Sequence, residues 1–353
     1  MEFLQNLKSG LFTWNVARRR EFYTMAAGFI ADGKPVYDTL QVFEERWRAI
    51  RDSRADTIAQ MMADMRGRNG KALRMGQAIA KWAPSTEAMA IDAGEQSGDI
   101  ANGLQMAARL ADTQSRIKTT LIGEMIYPGF LLLMFVALLF MLQIAVIPVF
   151  ADIAPRDRWP ASARYMGLLA ENAGLLSSLL IGSIIAVITA YKITQGRWTG
   201  EVRDFFDRWI PPWSIGRRIS GAVMMSCFAS FIKAGVPFSS IISQLSATAS
   251  DWEKLHLDGM RSKMRRGVRD GDAMAGPIFD EDVRWEIGVY GGMTMFDKAL
   301  GSLSERVTAN VIARIQSFTA TLRTLIMFLV AGMIIWVYGS FFAITMAAKQ
   351  TIA

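Results

Sequence analysis

The chain has 353 residues, a formal charge of +7, 52% hydrophobic and 20% charged residues, and a mean hydropathy of +0.22. That balance excludes both an ordinary soluble globule and a bundle made only of membrane spans; it fits apolar segments alternating with charged domains. A single cysteine, Cys227, excludes an internal disulfide, and with a single histidine, His256, no His/Cys metal cluster can form.

In chain order, residues 1–20 lack a long apolar stretch and end in Arg18-Arg19-Arg20, so no cleavable signal peptide is expected. Residues 1–120 form a first polar domain. In it Phe22, Met25, Ala26, Phe29 and Ile30 share a helix face, Gly33 closes that helix and Pro35 opens the next. Val36, Leu40, Phe43, Trp47 and Ile50 continue at helical spacing as domain core. Further on, Gly94 and Gly98 predict a helix break, capped locally by Ser97 or Asp99 rather than a functional Glu95/Asp99 pair.

Residues 121–194 predict two transmembrane helices, about 125–150 and 173–191, joined by a short loop from Ala151 to Glu171. Gly174, Ser178, Gly182, Ala186 and Ala190 repeat every four residues in the second span, and Gly339, Ala343 and Ala347 do so in the third. Such flat faces let helices approach closely, so these spans are expected to pack through them, within or between subunits. Residues 195–322 form a second polar domain, and 323–353 hold the third span, about 324–348, with a short tail.

The two polar domains read as copies. Ala27 to Pro35, with Gly33 and Pro35, aligns with Ala229 to Pro237, with Gly235 and Pro237; Met65 to Ala80 aligns without gaps with Met260 to Ala275. In that alignment Arg66, Arg68, Lys71 and Arg74 meet Arg261, Lys263, Arg266 and Arg269, with Arg265 as a fifth cation. Positions 261, 265 and 269 would gather on one helix face, a patch suited to anionic lipid or to an acidic partner. The expected fold class is an all-α membrane protein with two homologous helical-bundle domains and three transmembrane helices. Two copies of one domain separated by two spans share a compartment. Both are expected in the cytoplasm of a bacterial inner-membrane protein, leaving the loop around Arg156 to Tyr165 and the extreme C-terminus in the periplasm.

The Phe-Ile-x-x-Gly-x-Pro element of both copies, Ala93-Gly94-Glu95-Gln96-Ser97-Gly98-Asp99-Ile100, Tyr127-Pro128 entering the first span and Ile147-Pro148-Val149-Phe150 leaving it occur in one order. This order resembles the type II secretion system F-domain family, the platform proteins of type II secretion and type IV pilus machines. The compact length looks more like the type IVb pilus branch. Tyr290-Gly291-Gly292-Met293-Thr294, where the first copy has its Glu95 motif, departs from the pattern. The resemblance implies a homo-oligomeric scaffold in the bilayer. It would sit between a cytoplasmic hexameric ATPase, pilin or pseudopilin subunits and other inner-membrane components.

The residues themselves carry little chemistry. Gly70-Lys71-Ala72 lacks the hydroxyl and spacing of a phosphate-binding loop, so energy has to come from a partner. Cys227 beside Phe228 reads as a buried structural thiol, and His256, among Asp251, Glu253, Lys254 and Asp258, as an exposed surface residue. Interleaved acids argue against nucleic acid, and neither cofactor nor metal is implied. The alternative is a permease subunit of an ATPase-driven transporter, but Gln143 is the notable polar group in the spans, a poor supply for a transport path.

Overall fold

A computed structural model describes residues 15–67, 70–292 and 296–352, all of whose regular structure is helical. Arg68, Met293 and Thr294 lie outside the described residues. In chain order the helices are α1 (Val16–Ala31), α2 (Val36–Ala49), α3 (Arg54–Met65), α4 (Met75–Ile79), α5 (Ser85–Gln96), α6 (Ile100–Met141), α7 (Ile147–Ile153), α8 (Ala161–Glu171) and α9 (Ala173–Thr194). They continue with α10 (Glu201–Trp209), α11 (Trp213–Lys233), α12 (Phe238–Thr248), α13 (Asp251–Arg265), α14 (Asp270–Met274), α15 (Glu281–Tyr290) and α16 (Phe296–Ile352). They divide into two compact units, one of Met1–Lys118 with Gly196–Val311, the other of Thr119–Gln195 with Ile312–Ala353.

In the first unit, helix ends follow from local chemistry. α1 starts where the Asn15 side chain accepts from the Ala17 N–H at 3.1 Å. It ends in paired reverse bonds, Gly33 N–H to the Ile30 carbonyl and Lys34 N–H to the Phe29 carbonyl, both 3.0 Å. Gly33 supplies the left-handed φ of 89° that this closure needs. α11 ends the same way at Gly235, φ 77°, with Val236 N–H reaching the Phe231 carbonyl at 3.0 Å. Pro35 and Pro237 then occupy the N-caps of α2 and α12. α13 opens on a reciprocal cap, Ser250 N–H donating to Glu253 at 3.0 Å while the Ser250 hydroxyl accepts from the Glu253 N–H at 3.3 Å. Phe22 packs edge-on against Phe43 at 5.0 Å and near Trp47 at 5.9 Å. All three are buried, a contribution of about 1.5–3 kcal/mol for each large apolar side chain.

α3 and α13 close alike, but at positions that the gapless alignment of residues 65–72 with 260–267 does not pair. α3 is capped at Arg66 and Gly67 (φ 75°), and α13 at Arg266 and Gly267 (φ 76°). Gly67 and Gly76 are nine residues apart, Gly267 and Gly271 only four. The matched cations therefore do not take matching positions relative to the helix ends.

The second unit contains the rest of α6, α7 to α9 and the rest of α16. Three helices here are long and apolar enough to cross a membrane, within Ile100–Ile153, Ala173–Thr194 and Lys298–Lys349. α6 tolerates Pro128 internally. Before Pro148 the helix widens into a π-turn, Leu142–Val146, which accommodates a residue that can donate no backbone hydrogen bond. The expected loop from Ala151 to Glu171 is mostly helix α8. Its Ala163, Met166, Gly167 and Ala170 face a core with Phe150, Trp159, Met333 and Ile344. The Trp159 indole donates to the Ala154 carbonyl at 2.8 Å, and a Cβ on Gly167 would sit 3.1 Å from its ring. Small inward residues made this short amphipathic helix read as loop.

Candidate functional site

Most of the eight described basic candidates are exposed, but only Arg261, Lys263 and Arg265 lie within one helix, α13. Arg66 caps α3, and its guanidinium lies 4.1 Å from the Tyr37 ring centre. Arg74 caps α4 and grips Asp92 with two bonds, 2.5 and 3.0 Å, which raises its pKa further. Lys263 donates to the carbonyls of Asp272 and Ala275 at 3.3 and 3.2 Å, holding the α14 turn. Arg269, the N-cap of α14, pairs with Asp272 at 3.3 Å, and Arg261 lies 4.0 Å from Asp258. Arg266 folds back onto Ser262. Lys71, Arg265 and Arg266 are exposed. Arg269 belongs to a different helix from Arg261 and Arg265, so the expected common face is broken.

The Glu95 motif does structural work. α5 ends at Gln96 with Ser97 as its cap, and Gly98 takes φ 78° while Asp99 accepts from the Asn102 N–H at 3.0 Å. Ser97 and Asp99 thus cap as expected. Gly94 takes part in the break through its carbonyl, which accepts from the Asp99 N–H at 2.9 Å and the Ser97 hydroxyl at 3.0 Å, but its lack of a side chain serves a different end. It lies within α5 against α6, where an added Cβ would come within 2.5 Å of the Gly103 Cα. Glu95 lies near the backbone N–H groups of Met75 and Gly76 at the start of α4; burial raises its pKa, and those N–H groups oppose the rise.

Three polar arrangements escaped the sequence. Arg19 makes a buried two-pronged pair with Glu87 at 2.8 and 3.0 Å, and the Tyr23 hydroxyl donates to the same carboxylate at 2.8 Å. Arg203 and Asp207 form a buried pair at 2.9 Å on α10, to which the Trp252 indole donates at 3.0 Å. Arg217 donates to the carbonyls of Asp207 and Ile278, both at 3.1 Å, and with Arg218 pairs to Asp280 beside a cleft of about 650 Å³. The i,i+4 spacing of Arg203 and Asp207 was a visible signal; pairs separated by 60 or more positions leave none.

His256 lines that cleft and is 9% exposed, which corrects the expected surface placement. α13 turns it inward with Trp252, ring centres 4.5 Å apart, and burial lowers its pKa to about 4. The imidazole is therefore neutral at physiological pH. Cys227 is buried as expected, and burial pushes its thiol up to about 12, leaving no thiolate for nucleophilic chemistry. Among the described residues no group of three or more His, Cys, Asp or Glu could hold a metal ion.

In the second unit, the Arg323 guanidinium lies 5.8 Å from the Tyr127 ring centre, and Pro148 sits in the first turn of α7. The small-residue stripes are not brought together within the chain. A Cβ added at Gly174, Gly182 or Gly339 would meet nothing within 4 Å, and Ser178 and Ala186 are exposed; Ala343 is half-buried. α9 instead turns Ala173 and Ser177 inward.

Comparison with known proteins places this geometry. The toxin coregulated pilus biosynthesis protein E of Vibrio cholerae is 22% identical over 328 residues, 92% of this chain and 95% of the relative. The type IV pilus assembly protein PilC of Myxococcus xanthus is 24% identical over 255 residues, 69% of this chain and 60% of the relative. Residues 224–344, from within α11 into the apolar part of α16, match the family described as type II secretion system (T2SS), protein F. Residues 224–344 are thus similar to a type II secretion system protein F domain, and they lie within a likeness to one pilus biosynthesis protein that covers most of both chains.

Proposed function

We propose that this chain is an inner-membrane assembly platform for type IV pilus biogenesis, without enzyme chemistry of its own. The observation that carries this reading is similarity to a pilus biosynthesis protein over 92% of the chain and 95% of that relative. Three helices long and apolar enough to span agree with it. Residues 1–120 and 195–322 are then two copies of one helical domain, a reading supported by the recurrent helix order and the matched closures at Gly33 and Gly235. Both copies face the cytoplasm. There they meet a hexameric ATPase, whose motion the platform transmits to pilin subunits in the bilayer. The exposed cations Lys71, Arg265 and Arg266 are the best supplied to meet an acidic ATPase surface and set its approach.

Deleting the chain should abolish surface pili, and the wild-type chain should restore them. Arg265→Glu combined with Arg266→Glu should remove ATPase co-purification at physiological salt, and acidic-to-basic changes on the ATPase should restore it. Retention of both binding and pili by the double variant places the docking site elsewhere. Normal piliation without the chain would end the platform reading.

A further inference from the structure

α10 buries one ion pair and leaves an apolar strip outward, with Glu201, Asp204 and Arg208 also exposed. Arg203 and Asp207 are buried and paired, with Trp252 and Arg217 bonded to Asp207. Phe206 is held edge-on between Trp198 at 5.3 Å and Trp213 at 5.0 Å. The opposite side carries Val202, Phe205 and Trp209, exposed at 61%, 56% and 69%. Their i, i+3, i+7 spacing gathers them within an arc of about 60° at 3.6 residues per turn. A helix at a water boundary ordinarily buries its apolar stripe, which α10 does not. Because the inner face is fixed by ion pair, indole and backbone bonds, the outer face is a built feature.

Continuity of the chain indicates what covers it. α10 begins seven residues after Thr194, the end of the 22-residue apolar helix α9. Seven residues reach at most about 25 Å even when fully extended, so α10 is tethered near the surface of any bilayer that α9 crosses. Lys192, Arg197 and Arg208, all exposed, are cations suited to lipid phosphates, and the Trp209 indole suits the headgroup region. Three side chains on a nine-residue helix make a face large enough for shallow insertion and small for a stable protein interface. We propose that α10 is an interfacial helix whose Val202, Phe205 and Trp209 insert into the headgroup–acyl boundary of the bilayer. The proposal rests on the membrane reading of α9.

The test uses the full chain in a Cys227→Ser background, with Phe205→Cys, Ile185→Cys or Asp56→Cys carrying a small fluorescent label. Each is reconstituted into phosphatidylethanolamine–phosphatidylglycerol vesicles with brominated acyl chains. Labels at 205 and at 185 in α9 should lose most of their emission to the brominated lipid, while Asp56, with a side chain 79% exposed, should keep it. Val202→Cys repeats the measurement from the same face and should behave as 205 does. If 185 is quenched but 202 and 205 respond only to an aqueous nickel chelate, the face meets water and the proposal is overturned. Shielding of 202 and 205 from both quenchers overturns it in favour of a protein partner or a second copy. An unquenched 185 removes the membrane reading of α9, and the interfacial helix with it.

Discussion

Burial sets the chemistry of His256. Its pKa falls from 6.5 to about 4 because the packed site beside Trp252 and two arginines disfavours the imidazolium. With the folded-state value depressed, this group's contribution is fully present above pH 6.5 and is lost as pH falls towards 4, where the unfolded chain binds a proton that the folded chain refuses. The loss is of the order of 3 kcal/mol at most. Near-UV circular dichroism melts of the full chain in detergent should show Tm falling through that window, and His256→Phe should flatten the dependence. Glu87 is a sharper case. Glu87→Ala would remove the buried carboxylate that the Arg19 guanidinium and the Tyr23 hydroxyl share, at a cost of about 3–5 kcal/mol. Glu87→Gln should recover part of it, with denaturant titration as the measurement. Arg19 and Glu87 are 68 positions apart, so no local pattern could announce the pair, and the polar neighbours of His256 in sequence pointed the wrong way because they lie on the outer side of α13.

At the scale of elements, glycines decide how closely helices meet. A Cβ on Gly76 would lie 2.4 Å from the Asp92 nitrogen, on Gly271 2.3 Å from the Gly291 Cα, and on Gly94 2.5 Å from the Gly103 Cα. Each contact is with backbone, which cannot swing aside. Gly94→Ala should therefore destabilise by about 1–3 kcal/mol through overpacking. Gly98→Ala, which has open space but a φ of 78°, should cost about 1–2 kcal/mol through backbone strain alone. Thermal unfolding of the two variants tells these apart when Gly94→Ser worsens the first defect and Gly98→Asn relieves the second. Sequence marked both glycines as one break; only the close approach of α6 separates their roles.

At the scale of the molecule, the membrane reading yields a topology. Single cysteines in the Cys227→Ser background should react with an impermeant thiol reagent in outer-membrane-permeabilised cells at Ser162, and not at Ser53 or Ser262. The reverse pattern would invert the platform. The small-residue face of α9 is open, since a Cβ at Gly174 or Gly182 would meet nothing within 4 Å. Gly182→Leu should leave insertion intact and reduce oligomer size in mild detergent; an unchanged oligomer would assign that face to lipid.

The helical class, the three long apolar helices, the glycine closures at Gly33 and Gly235 and the inertness of Cys227 were written in the sequence, because periodicity, span length and capping act over a few residues. Tertiary structure alone decided the buried Arg19–Glu87–Tyr23 set, the inward turn of His256, the helix in the stretch after Ile153, the placement of the matched cations relative to their helix ends and the outward apolar strip of α10. Each depends on which distant surface a short segment meets, and that is fixed by packing among helices rather than by the residues that flank it.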